Sequence, residues 1–106
     1  MAQTILEYLN KRFGNEMVSR MAKLSEEFEE LQNAFHYGSR EDFIDELADL
    51  NGVLFHITGI MGLNQDQLLK MMMDKISGRE KDPDYNRKPR HIRGLATLET
   101  QLRILK

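Results

Sequence analysis

Helical periodicity with no proline before residue 83 is the strongest constraint on how this 106-residue chain can fold. Pro83 and Pro89 are its only prolines, both late, and no stretch shows the apolar alternation of a half-buried strand. Apolar side chains recur instead at spacings of three and four, the repeat of one helix face. Residues 3–13 form a first helix with Ile5, Leu6, Leu9 and Phe13 inward and Gly14 as its stop. A second spans 16–36, its stripe being Val18, Met21, Leu24, Phe28, Leu31 and Phe35, and stops near Gly38. Ser39 caps a third over 40–61, with Asp42 three residues on as a weaker relative of the capping box. There Phe43, Leu47, Leu50, Leu54, Thr58 and Met61 point inward, and Val53, Phe55, Ile57 and Ile60 make its other faces apolar too, so it should be the most buried helix. Asn64 caps a fourth carrying Leu68, Leu69, Met72 and Ile76 and ending near Gly78 or a turn later. The polar, proline-interrupted stretch 81–94 reads as a loop or extended arm, followed by a short tail helix of Leu95, Leu98, Leu102 and Leu105. The expectation is an all-α bundle in one domain, 1–106, with a four-helix core over 1–80 and an arm and tail over 81–106.

Composition narrows what such a bundle can do. Apolar residues make up 41% of the chain and there is no Trp, so a lone protomer has a thin core. The net charge of −2 argues against nucleic acid or an anionic membrane as main partner. No cysteine is present, which rules out disulfides and thiolate ligands and leaves oxygen or imidazole donors. His36, His56 and His91 lack metal-ligand spacing. The N-terminus does not resemble a signal peptide, and the longest apolar stretch, near 52–63, is too short to span a bilayer. The chain reads as soluble and cytoplasmic.

Two carboxylate pairs stand out on the second and third helices: Glu27 with Glu30, and Glu46 with Asp49. Positions three apart lie about 5–6 Å apart on one helix face. In both helices each acid immediately precedes a residue of the apolar stripe: Phe28, Leu31, Leu47 and Leu50. The pairs therefore share one angle beside their stripes, at the boundary between core and solvent. Two helices packed antiparallel through those stripes bring four carboxylates together, an arrangement that requires a cation. All-oxygen ligands suit a hard ion, magnesium or manganese. A solvated acidic seam on a non-catalytic interaction module is the competing explanation, since glutamate-rich helix faces are usually surface.

With EEFEE at 26–30 and ELAD at 46–49, the chain resembles the MazG-like, all-alpha nucleoside triphosphate pyrophosphohydrolases over about 16–80. That superfamily includes dimeric dUTPases, dCTP pyrophosphatases and phosphoribosyl-ATP pyrophosphohydrolase, and its signature is EExxE followed on the next helix by ExxD. The resemblance implies that Glu27, Glu30, Glu46 and Asp49 hold magnesium, with Glu26 as an outer-sphere group or water-activating base. It implies hydrolysis of a (d)NTP to its monophosphate and pyrophosphate, in control of the nucleotide pool. Lys75 and Arg79, four apart on the fourth helix and beside Asp74, match a Lys/Asn–Arg spacing found in many members and would neutralise phosphate charge. Asn51, next to the second acidic pair, is a candidate contact for base or ribose. The stretch 81–94 and the tail match no subfamily.

Assembly follows from the helices with more than one apolar face, which need more partners than four short helices supply. A homodimer is the expected minimum, and two dimers can pair into a tetramer. His56 reads as a satisfied core or interface residue, and the run Met71–Met73 as adaptable packing. The basic cluster Arg87, Lys88, Arg90 and Arg93 reads as an arm reaching over a neighbour or over phosphates. A nucleic-acid patch is its alternative, and the acidic balance of the chain disfavours it.

Overall fold

The structure is a computed structural model describing residues 4–87. They form five helices: α1 (Ile5–Phe13), α2 (Met17–Tyr37), α3 (Arg40–Ile60), α4 (Gln65–Glu80) and α5 (Pro83–Arg87). Among the described residues there is no strand.

Local chemistry fixes each boundary. The Thr4 hydroxyl accepts the Glu7 N–H at 3.1 Å and starts α1. Gly14 ends it at φ +74°, a backbone conformation that costs a glycine little. Ser39 and Asp42 form a full reciprocal capping box, the Asp42 carboxylate accepting the Ser39 N–H at 3.0 Å and the Ser39 hydroxyl the Asp42 N–H at 3.1 Å. Gly38 sits tight against this turn: a Cβ there would lie 3.0 Å from the Ala34 carbonyl oxygen and from an Asp42 carboxylate oxygen. The short connection folds α3 back along α2 as an αα-hairpin. Asn64 and Gln67 build a second reciprocal box at the start of α4, with bonds of 2.8 and 2.9 Å.

The α2–α3 hairpin is the main packing unit, and α1 lies across α3. Leu6 of α1 covers Gly59, where a Cβ would come within 2.5 Å of the Leu6 Cδ1. Asn10 of α1 reaches the ring of His56 at 2.9 Å. Helix α3 thus has neighbours on two sides and carries buried Val53, His56 and Thr58.

Three expectations need correcting. On α2 the buried residues are Arg20, Glu27 and Ala34, spaced by seven, while Val18, Met21 and Phe28 are exposed. Leu47, Leu54 and Met61 of α3 are likewise exposed. The packed stripe of α2 is therefore rotated by about one residue, roughly 100°, from its apolar stripe. Lastly, part of the stretch expected as loop or arm is helical. Pro83 opens α5 at a position where its missing N–H costs nothing, and the Asp82 carboxylate accepts the Asp84 and Tyr85 N–H groups. The tail helix expected around Leu95–Leu105 lies outside the described residues.

Helix α4 has no buried residue, and among the described elements its main neighbour is α5. Leu69, Met71, Met72, Met73 and Ile76 are all exposed. A single chain leaves much of its apolar surface uncovered.

Candidate active site

The acids meet where α2 and α3 pack. Glu27 of α2 and Glu46 and Asp49 of α3 each offer a carboxylate oxygen within 4.8 Å of the other two. Glu27 is only 6% exposed, whereas Asp49 stays open to solvent. One oxygen of Glu27 and one of Glu46 are buried with no hydrogen-bond partner. Burying a carboxylate oxygen unpaired costs free energy unless a proton or cation answers it.

Electrostatics point the same way. The Glu30 carboxyl titrates above the ordinary glutamate range, chiefly because the Glu27 carboxylate lies beside it, then through burial. Glu46 is also raised, first by burial and then by the charges of Asp49 and Glu27. Glu30 belongs to the same field of negative charge through Glu27 and Glu46, although its oxygens lie outside the tight trio. Lys23 is the cation already on the scene, at 3.1 Å from Glu27 and 3.2 Å from Glu26. Those two carboxylates raise its pKa. Glu26 itself is exposed.

A cleft of about 330 Å³ opens beside the trio. Glu27, Asp49 and Lys23 line one part of it, and Arg20 and His56 also contribute to its wall. Leu9, Phe13 and Val53 supply apolar surface. His56 is fully buried, with Nε2 against the Asn10 side-chain oxygen and Nδ1 unpartnered. Since the Asn10 oxygen accepts, Nε2 carries a proton. Burial, followed by the Arg20 charge, pushes the His56 pKa down, against a smaller opposing pull from the Gly14 backbone.

Other candidates fall elsewhere. Asn51 is exposed and donates to the Leu47 carbonyl at 3.0 Å, one turn back on its own helix. Asp74, Lys75 and Arg79 sit on exposed α4 and do not line the cleft, and the Arg79 guanidinium lies over the Tyr85 ring at 5.3 Å. Conversely, Arg20, Lys23 and Asn10 were not singled out on sequence. Their signal lay in spacing: Arg20, Lys23, Glu27 and Glu30 follow one another at three, four and three residues, a helix face of their own.

The donor set suits a hard divalent ion. Converging carboxylate oxygens, two of them buried and unanswered, match what magnesium or manganese takes from a protein. An all-helical chain with such a cluster across a helix pair fits the helical pyrophosphohydrolases. Residues 3–79 match the phosphoribosyl-ATP pyrophosphohydrolase family, to which this chain belongs. That family is helical and related to the MazG-like fold. No curated protein and no solved structure matches the chain. No described helix is long and apolar enough to cross a membrane.

Proposed function

We propose that the chain is a divalent-metal-dependent pyrophosphohydrolase of the MazG-like kind that releases pyrophosphate from a nucleoside triphosphate group. The observation carrying this reading is the convergence of Glu27, Glu46 and Asp49, with two buried oxygens left unanswered. Water adds at the α phosphorus, the bond between that phosphorus and the oxygen bridging to the β phosphate breaks, and monophosphate and pyrophosphate separate. Family membership puts phosphoribosyl-ATP first among substrates, ahead of the simple (d)NTPs.

Glu27, Glu46 and Asp49 hold the ion, with Glu30 closing the set from the next turn of α2. Bound there, magnesium or manganese neutralises phosphate charge and lowers the pKa of a coordinated water. The protein's own share is positioning and charge. Glu26, exposed to solvent, accepts a proton from water. Lys23, now paired with Glu27 and Glu26, would be available to a phosphate oxygen if Glu27 held the ion. The apolar wall of Leu9, Phe13 and Val53 excludes water on the other side. Lys75, Arg79 and Asp74 join only where α4 is laid over a cleft by assembly. The uncovered apolar faces of α2, α3 and α4 supply the drive for a homodimer or a tetramer.

A nucleotide panel with product identification tests the reading. Phosphoribosyl-ATP, ATP and the four dNTPs are incubated with protein and magnesium. Pyrophosphate and the matching monophosphate should appear in equal amounts. Stepwise release of inorganic phosphate, or no turnover of any of them, sinks it.

A further inference from the structure

Arg20 is the least conventional residue of the cleft. It is 7% exposed, yet among the described residues no carboxylate forms an ion pair with it. One terminal nitrogen donates to the Ser19 hydroxyl at 3.0 Å, and the guanidinium lies over the Phe13 ring at 4.9 Å. Its Nε is buried and has no partner. A guanidinium does not escape by losing its proton, and a buried charge lacking a counter-charge is costly to hold. The surrounding groups offer no negative charge: an aromatic face, a hydroxyl, and the imidazole of His56. On its own helix side Glu16, the N-cap four residues back, makes no ion pair with it, and Glu27, seven residues and about 10 Å of helix away, is engaged by Lys23. Two cations thus share this face of α2, and only Lys23 is answered.

We propose that Arg20 is a phosphate-binding residue, taking a phosphate oxyanion of the substrate that lies beyond the carboxylate-held cation. Its planar fork suits two phosphate oxygens at once, and Arg20 lines the same cleft as Glu27 and Asp49. The assignment rests on the pyrophosphohydrolase reading for the identity of the ligand as substrate, but anion binding by Arg20 is measurable without turnover or metal.

The test is calorimetric titration of the full chain with inorganic tripolyphosphate and, separately, ribose 5-phosphate, each with and without magnesium. Arg20→Met should weaken one probe about tenfold or more, and Arg20→Lys should recover part of the loss. Loss confined to tripolyphosphate places Arg20 on the polyphosphate chain; loss confined to ribose 5-phosphate places it on a remote phosphomonoester. The melting midpoint of Arg20→Met without ligand should equal or exceed that of the parent, because an unanswered buried charge has gone. Unchanged affinity for both probes overturns the proposal. So does a lower midpoint together with a smaller sedimenting mass, which would show that Arg20 answers a carboxylate of a second copy. Glu46→Gln runs beside it: magnesium binding that survives this change undermines the metal reading and leaves the metal-free Arg20 result standing.

Discussion

Two neighbouring faces of α2 are treated in opposite ways. Glu27 is 6% exposed while Phe28, the next residue, is 51% exposed. The face carrying Arg20, Glu27 and Ala34 is pressed into the helix hairpin, and the face carrying Val18, Met21 and Phe28 is left uncovered. A helix that only had to fold would bury the second and expose the first. Here the intrachain contact is given to charged groups, which the low-dielectric interface makes responsive to ions and phosphates. Among the described residues nothing covers the apolar face.

Removing the charge at the heart of the buried face should have the largest effect. Glu46→Gln keeps the shape and hydrogen-bonding capacity of the side chain but removes one anion from the trio. Turnover should fall at least about a thousandfold, by analogy with loss of a key electrostatic group, with the helical circular dichroism unchanged. Near-parental activity would break the contrast, because the acids would then be ordinary surface. Magnesium alone should also raise the thermal midpoint of the parent, the linkage reaching about 2.7 kcal/mol at a hundred times Kd. Glu46→Gln should lose most of that response in a melt followed by calorimetry.

Packing changes on the two faces sharpen the comparison next. Ala34 is 9% exposed, so Ala34→Leu forces a larger side chain between α2 and α3 and should cost about 1–3 kcal/mol in urea unfolding. Phe28→Asp places its charge on the uncovered face. Under the proposed homo-oligomer it should leave the helices folded and lower the sedimenting mass. Sedimentation velocity reads the outcome, and an unchanged mass removes Phe28 from any interface.

Much of this layout was legible in the residues. Caps and stops announced themselves, since Gly14, Gly38, Ser39 and Asn64 act through local backbone chemistry that needs no tertiary partner. The acids of α2 and α3 stood out because i, i+3 spacing puts a pair on one face whatever the helix packs against. Rotation of the helices about their axes was not legible. Apolar periodicity indicates which face leaves water, but not whether the same chain or a second copy covers it. Val18 and Phe28 therefore pointed inward on paper, and Arg20 went unnoticed because a lone arginine in a helix is ordinarily solvated. The environment of His56 was hidden for a related reason: its partner Asn10 is 46 positions away on α1, beyond the reach of any local pattern.

His56 supplies the smallest and most specific prediction. Its pKa is held below the ordinary histidine value, first by burial and then by Arg20. Between that depressed value and the unfolded value of about 6.5, the unfolded chain binds a proton that the folded chain refuses. Its contribution to stability is therefore present above about pH 6.5 and is lost as pH falls through that window. His56→Gln replaces the ring with an uncharged amide able to donate to Asn10, and removes this titration. The stability advantage of the parent over His56→Gln should shrink as urea melts are moved from pH 7.5 to 5.5. The groups facing the ring, Arg20, Asn10 and the Gly14 backbone, are unchanged in this comparison. A constant gap across that range would mean that the imidazole titrates alike in folded and unfolded chains, and that burial beside Arg20 does not disfavour its charge.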